Sequence, residues 1–451
     1  MKGMNIKKVF CVMSVVSLFV LLLAGISGAA GKEPVKIGCL TDLTGPASSM
    51  VLVTDAYGGG GYIDYVNKKY GGIEGHPIEF ILVDTQYKVD RMRSGYDQLV
   101  EKGIVGLHLS LSPALESLKK NFPKDKIPVM MPTGTTSPMW PAGYIYGHWS
   151  TYGDQAGLIV DYCIEKAKRE GRNLKKNPLR IAWIYADNPM GRSVLPAKPY
   201  AEARGCLNVA DEGVSMVPAD TTNELLRIKA KKPDFILVGH IPSPTTILLK
   251  DAKRIGLKIP FFSTGMTLAD GVMRYARPEL AEGFHNVANT TLWYKEDEEK
   301  IPMVKVINEY MAKKMPNPSE REFFKITWGW RPEMIMVEAI RMAIKAKGWP
   351  ITGEDVKKYG YDRMKGYNAE GMFTPGCELT YYPNVDHRSS TNSRMFKIVR
   401  KGDSVRLAVV KSLVKGPTVL PKGIINKCKG LKENLKSRGV RFFSPETGLI
   451  E

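Results

Sequence analysis

Short apolar runs alternate with longer amphipathic stretches along most of the chain. VKIGCL (35–40), IEFILVD (78–84), GIVGLHLS (103–110) and IPVMMP (127–132) are each followed by a segment of helical length, among them 91–102. Strands separated by helix-length segments predict βαβ units and a parallel sheet. The pattern then restarts with RIAWIYAD (180–187), LNVADEGVS (207–215), DFILVGH (234–240) and KIPFFST (258–264). Between these runs, TNELLRIKA (Thr222–Ala230) and SPTTILLKDAKRIG (Ser243–Gly256) read as helices. Two successive α/β units of like size are the economical reading.

The joints between these units look different. TGTTSPMWPAGYIYGHWSTYG (133–153) is rich in Gly, Pro, Thr and aromatics without a period, so it reads as a loop passing from one unit to the next. Helical spacing returns at 323–347, and residues 371–410 read as a turn-rich hairpin region. The tail from Ser412 to Glu451 shows no strong period and is expected to wrap the surface. Gly58-Gly59-Gly60-Gly61 is unusual inside a helix, where each glycine costs roughly 1 kcal/mol against alanine. Either a close packing contact or a looped helix start would explain the run.

At the amino terminus, Lys2, Lys7 and Lys8 precede an apolar stretch from Val9 to Ile26 and the small residues Ser27-Gly28-Ala29-Ala30. That order is the signature of a secretory signal peptide, with a membrane anchor as the competing reading. Gly31 stands where a lipoprotein would need cysteine. The expectation is a periplasmic protein cleaved near residue 30, long enough for two domains of ordinary size.

The net charge of +19 raises the question of nucleic acid, but the lysines are spread along the chain without an arginine-rich or aromatic-interleaved patch. The charge is read as a solvated surface, and no nucleic-acid partner is expected. Cys39 and Cys163 fall in a strand and a helix, the usual setting of inert buried thiols; Cys377 with Cys428 is the one pair considered for a disulfide. No CxxC, HExxH or His/Cys cluster occurs, so neither a metal nor a cofactor is expected.

Open parallel sheets bind ligands outside the carboxyl ends of their strands. TDLTGP (41–46), LSLSPA (109–114), PTGTTSP (132–138), YADNPMG (185–191), GHIPSP (239–244) and STGMTLAD (263–270) all lie at such ends. Their Ser, Thr and Gly content suits a carboxylate or hydroxyl, although helix capping would use the same residues. An enzyme finds less support. The first strand leads into TDLTGPASS rather than GxGxxG, GxSxG is absent, and the histidines are scattered.

VKIGCLTDLTGP, YVNKKYGGIEGHPIEFILVDTQY, VEKGIVGLHLSLSPA and IPVMMPTGTTSP, followed by RIAWIYADNPMGRS, KPDFILVGH, LLKDAKRIGLKIPFFSTG and YYPNVDHRSS, resemble the substrate-binding proteins of branched-chain amino acid ABC transporters, leucine-binding-protein-like. The resemblance covers nearly all of residues 34–410. It implies an α/β type I periplasmic binding protein fold: two Rossmann-like lobes with parallel central sheets, joined by a three-strand hinge. Lobe 1 would comprise 34–151 plus about 292–375, lobe 2 152–291 plus about 376–411, with 412–451 as a tail. The implied partners are a small-molecule ligand and the membrane permease of an ABC transporter, with the protein itself a monomer and not an enzyme. A ligand-sensing receptor of the same fold is the alternative.

The resemblance also implies where the ligand is held. A serine after the third strand, Ser110 or Ser112, and a threonine after the fourth, Thr135 or Thr136, would clamp a carboxylate, with the carbonyl of Thr133 as a nearby acceptor. The second lobe would add His240, groups near Tyr152 and Asp154, and Tyr185 and Asp187. Where the amino-acid binders place an acid for the ligand ammonium, this chain has Thr264-Gly265-Met266-Thr267, which brings Met266 into the candidate set. A buried ammonium without a counter-charge is very unfavourable. The expected ligand is therefore a carboxylate-bearing apolar or aromatic solute in preference to leucine, isoleucine or valine, unless Asp187 or Asp270 replaces the missing acid. Trp140, Tyr144, Trp149, Tyr152, Tyr185, Trp328 and Trp330 are the aromatics expected near the cleft or the lobe joints.

Overall fold

The computed structural model describes residues 32–290, 294, 297–315 and 329–451. Residues 1–30 lie outside them, as do positions 323–328 of the expected helix, Trp328 included. The first apolar runs form β1 (Val35–Thr41), β2 (Ile78–Asp84), β3 (Gly106–Leu109) and β4 (Val129–Met131), joined by a short β5 (Ile145–Gly147). All pair in parallel, in the order β2-β1-β3-β4-β5. Within the stretch expected to be loop, β5 is a three-residue edge strand, too short to show an alternation.

The second set forms β6 (Arg180–Ala186), β7 (Leu207–Val214), β8 (Phe235–Gly239), β9 (Phe261–Ser263) and β10 (His285–Ala288). The hairpin β11 (Ser393–Lys401) and β12 (Ser404–Val414) extends this sheet, in the order β12-β11-β10-β9-β8-β6-β7, and only its β10-β11 and β11-β12 pairings are antiparallel. β8, FILVG, is buried at every position because helices cover both faces of a parallel sheet. Each sheet reverses its strand order once, between β1 and β3 and between β6 and β8. Those reversals open crevices at the carboxyl ends of the strands.

The helices follow the amphipathic stretches: α1 (Gly60–Tyr70), α2 (Val89–Glu101), α3 (Tyr152–Arg169), α4 (Thr222–Ala230), α5 (Pro242–Arg254), α6 (Pro302–Lys314) and α7 (Trp330–Lys347). A capping box starts α3: the Thr151 hydroxyl accepts the Asp154 amide and the Asp154 carboxylate accepts the Thr151 amide. A π-helical turn, Leu52–Gly59, leads into α1, so the glycine run is helical and not a looped start. A Cβ on Gly59 would stand 3.0 Å from the Glu333 carboxyl, and one on Gly61 2.7 Å from the Tyr310 ring. The glycines let α6 and α7 press against the first helix.

One core joins β1, α1, α6, α7 and residues as far as Leu379 and Tyr381; another surrounds α3 and the seven-stranded sheet. The chain therefore leaves the first lobe after β5, returns to it after β10, and leaves again between Tyr381 and Ser393. The tail corrects the sequence reading. It folds as β13 (Thr418–Val419), α8 (Leu431–Ser437), β14 (Phe442–Ser444) and β15 (Leu449–Ile450), and Leu420, Leu431, Leu435 and Phe442 are wholly buried. Its apolar residues are spaced to fill gaps in two cores already present, which no period within the tail reveals. All five cysteines of the described residues are buried free thiols, so Cys377 and Cys428 are not bonded. Cys377 packs beside the Asn392 carbonyl, while Cys428 belongs to the core between the tail and the first lobe.

Candidate functional site

The carboxyl ends of both sheets face one cavity. From the first lobe come the apolar side chains of Ala47, Val51 and Leu111 with the hydroxyls of Ser110, Ser112 and Thr133; Met190, Met216, Ile241 and Met266 close it from the second. Tyr87 and Tyr152 complete the wall, and no charged side chain lines it. The space left is about 10 Å³, room for about one water. The lobes are thus shut, and across the seam the Thr136 amide donates to the Ser193 hydroxyl at 3.3 Å while the Thr136 hydroxyl donates to the Ser193 carbonyl at 3.0 Å.

The hydroxyls have defined roles. Ser110 donates to Asp55 Oδ2 at 2.7 Å, and a hydroxyl has one hydrogen, so toward the cavity Ser110 presents only lone pairs. Thr135 stands behind the wall, 2.6 Å from the Ser112 hydroxyl and 3.1 Å from that of Thr133. Where Thr135 donates to either end of Ser112–Thr135–Thr133, that end keeps its own hydrogen free to donate.

Other expected residues stand elsewhere. His240 is wholly buried; its Nδ1 accepts the Ile241 amide at 2.9 Å and its Nε2 donates to the Ser215 carbonyl at 3.0 Å, and burial pushes its pKa down to about 4. Both ring nitrogens are committed. Asp187 is half exposed and paired with Arg192, and Tyr185 is only partly buried, beside Asp211. Asp154 caps α3 and pairs with Arg388 at 2.6 Å; Asp270 is buried and accepts the Gly271 amide, away from the lining. Among the aromatics, Trp330 packs on Tyr62 and Tyr310, Trp140 lies under the Arg388 guanidinium, Trp149 covers Gly265, and Tyr144 bonds Glu354.

Sequence reasoning missed Tyr87 and, Met266 apart, the apolar wall. Met190 and Ile241 do lie in the strand-end segments YADNPMG and GHIPSP, and Leu111 sits between the two serines. The turn decides which neighbour faces inward. Also unanticipated is the polar nest behind Ser110. There Thr41 donates to Asp55 Oδ2 at 2.8 Å, Thr54 donates to Oδ1 at 2.8 Å, and the His108 ring lies between Asp55 and Glu333. Burial alone would depress His108; the Glu333 and Asp55 carboxylates outweigh it and push the ring up to about 10. Burial raises Glu333, while the His108, Ser110 and Thr54 bonds keep Asp55 lowered against the same penalty.

The sequence profile of one family, described as periplasmic binding protein, matches residues 34–403. The chain belongs to that family. A search of curated proteins finds no match. Among solved structures, this periplasmic binding protein is similar to a branched-chain amino acid ABC transporter protein from Thermus thermophilus with bound valine, at a TM-score of 0.74, 21% identity, and 85% and 97% of the two chains covered. It is also similar to a fatty acid ABC transporter substrate-binding protein from Thermomonospora curvata (TM-score 0.68, 20% identity, 85% and 92% covered). A third is a solute-binding protein of an ABC transporter from R. palustris in complex with 4-hydroxybenzoate (TM-score 0.66, 17% identity, 85% and 98% covered). At these identities the likeness shows the fold, a two-lobed solute-binding architecture. Family membership implies an extracytoplasmic location, and no helix among the described residues is long and apolar enough to cross a membrane.

Proposed function

We propose that this binding protein captures a small hydroxy-bearing organic acid with an apolar body and presents it, enclosed, to the permease of an ABC transporter. It acts without catalysis, after export directed by residues 1–30. The observation that carries the ligand class is the opposed polarity of two hydroxyl sets in a wall without charged side chains. The Ser112–Thr135–Thr133 chain has a hydrogen to give, which suits a carboxylate oxygen; Ser110 can only accept, which suits a hydroxyl on the ligand. The resemblance clamps the carboxylate between Ser110 or Ser112 and Thr135 or Thr136; this reading keeps it on Ser112 and the threonines and gives Ser110 a ligand hydroxyl instead. An ammonium could also donate to Ser110, but it would be buried without a lining carboxylate to balance it. The similar solved structures with bound valine and 4-hydroxybenzoate, and the one named for fatty acid transport, are each tied to a carboxylate on an apolar frame, in keeping with this reading.

Closure follows from the same geometry. With about 10 Å³ free in the shut form, a solute enters only after the lobes part, and the Thr136–Ser193 contacts re-form as they close. Titration calorimetry with matched skeletons tests the ligand class: isovalerate, 2-hydroxyisovalerate and valine, then benzoate and 4-hydroxybenzoate. Each hydroxy acid should bind at least about tenfold tighter than its parent, the value of one hydrogen bond to a buried site. Ser110→Ala should erase that preference. Equal affinity for parent and hydroxy acid, or valine binding tightest, overturns the assignment.

A further inference from the structure

Behind the ligand wall, four groups with metal-binding chemistry converge that no sequence motif connects. Cys39 in β1 and His108 in β3 are register partners in parallel strands, so their side chains leave the same face of the sheet. The π-helical turn Leu52–Gly59 lowers Asp55 onto that face, and α7 brings Glu333. One donor atom each from Cys39, Asp55 and His108 lies within 4.8 Å of the other two, and all three residues, like Glu333, are 0% exposed. The separation of Cys39, Asp55 and His108 along the chain is why the sequence pointed to no metal.

We propose that Cys39, Asp55 and His108 form a binding site for a divalent transition metal of the zinc class. The donor set, one thiolate, one carboxylate oxygen and one imidazole nitrogen, is borderline-soft and suits zinc or cobalt rather than magnesium or calcium. His108 Nε2 stands 3.2 Å from Asp55 Oδ1, close to the roughly 3.4 Å edge of a tetrahedron with metal–ligand bonds of the usual length. Cys39 Sγ, within 4.8 Å of both, would move toward them to complete the site. Glu333 holds Nδ1 on the far side of the ring, the carboxylate–imidazole arrangement that fixes which nitrogen faces a metal. Thr41 and Ser110 hold the other Asp55 oxygen, while Oδ1 accepts the Thr54 hydroxyl and faces the His108 ring. The second Glu333 oxygen, Oε2, is buried without a hydrogen-bond partner, so the nest holds more acceptor capacity than its hydrogens satisfy.

Binding requires that the Cys39 thiol release its proton to solvent and that His108 Nε2 present its lone pair, with Nδ1–H held by Glu333. Ser110 stands between this nest and the interlobe cavity, touching both Asp55 and the space of that cavity. The ion would sit one hydroxyl behind the ligand and hold the carboxylate that orients Ser110.

Full-length protein stripped with a chelator and titrated with cobalt(II) tests the site. A stoichiometric rise of near-ultraviolet thiolate-to-cobalt absorption, with a higher melting temperature in cobalt or zinc, is the expected result. Cys39→Ser should abolish that band, and Glu333→Gln should weaken binding by 10- to 100-fold. Cys163→Ser, a buried thiol in the other lobe, should change neither. His108→Asn is not needed, which avoids dependence on a variant that would leave two buried carboxylates unpaired. No band and no thermal shift, or a band that survives in Cys39→Ser, overturns the proposal.

Discussion

Arg388 ties α3, the tail and the first lobe to the third passage between the lobes, and its removal has a calculable cost. The residue lies on the third passage between the lobes and is 1% exposed. Its Nε and Nη2 donate to the two oxygens of Asp386 at 2.9 Å each, Nη1 donates to Asp154 of α3 at 2.6 Å, and Nη2 also reaches the Thr418 hydroxyl of the tail at 3.1 Å. The guanidinium stacks 4.6 Å above the Trp140 ring of the first lobe. Arg388→Met keeps the volume and removes the charge. Asp154 would retain only the amides of Thr151 and Val419, and Asp386 the backbone amide of residue 388 and the partly exposed Arg438. Breaking a buried pair in this way costs about 3–5 kcal/mol. The measurement is equilibrium urea unfolding at pH 7, read as a fall in the midpoint at constant slope. Arg388→Lys should recover little, because an ammonium cannot span Asp386 and Asp154 together. Adding Asp154→Asn to Arg388→Met should cost less than the two single changes summed, with a coupling of about 0.5–3 kcal/mol. A loss below about 1 kcal/mol for Arg388→Met, or strict additivity, would show that these bonds merely balance their desolvation.

Two further expectations follow from burial. Leu435 of α8 is wholly buried in the core shared by the tail and the first lobe, so Leu435→Ala should cost about 2–5 kcal/mol in the same urea experiment; a loss under about 1 kcal/mol would mean that the tail is not part of that core. His240 has its folded pKa depressed to about 4 against roughly 6.5 unfolded, so its contribution is complete above pH 6.5 and is lost as pH falls toward 4, at about 1.4 kcal/mol per pH unit. Wild type should therefore lose more stability between pH 7 and pH 5 than His240→Gln does, and equal losses would refute the assignment.

What could be read from the sequence depended on how far each signal extends along the chain. TNELLRIKA is a helix over the predicted residues because apolar spacing and charge agree within nine positions. The strand-end segments were visible for the same reason, since a strand and the turn after it are local. The wall of the cavity was not. Ser110 and Ser112 both reach it, yet their hydroxyls are bonded to Asp55 and Thr135, which lie 55 and 23 residues away. The expectation of His240 as a ligand rested on its place after β8 and could not foresee that its two nitrogens close a turn with Ile241 and Ser215. Likewise Leu431 and Leu435 are one helical turn apart, but two leucines in a basic tail carry no message without the groove that receives them.

The two walls of the cavity also differ in a way that orders binding. The serine and threonine hydroxyls of the wall, Ser110, Ser112 and Thr133, all belong to the first lobe, and the second lobe supplies three methionines, an isoleucine and the Tyr152 ring. Hydrogen bonds to a rigid, pre-bonded hydroxyl set can form while the cleft is open and wet. Apolar contacts gain little until water has left, and methionine adapts to irregular shapes at small cost. A solute that met the second lobe first would find a mostly apolar surface with the Tyr152 phenol as its one hydroxyl. On the proposed function, docking on the first lobe therefore precedes closure of the second. The choice of head group rests with Ser110 and the Ser112–Thr135–Thr133 chain, while tolerance for different apolar bodies rests with Met190, Met216 and Met266.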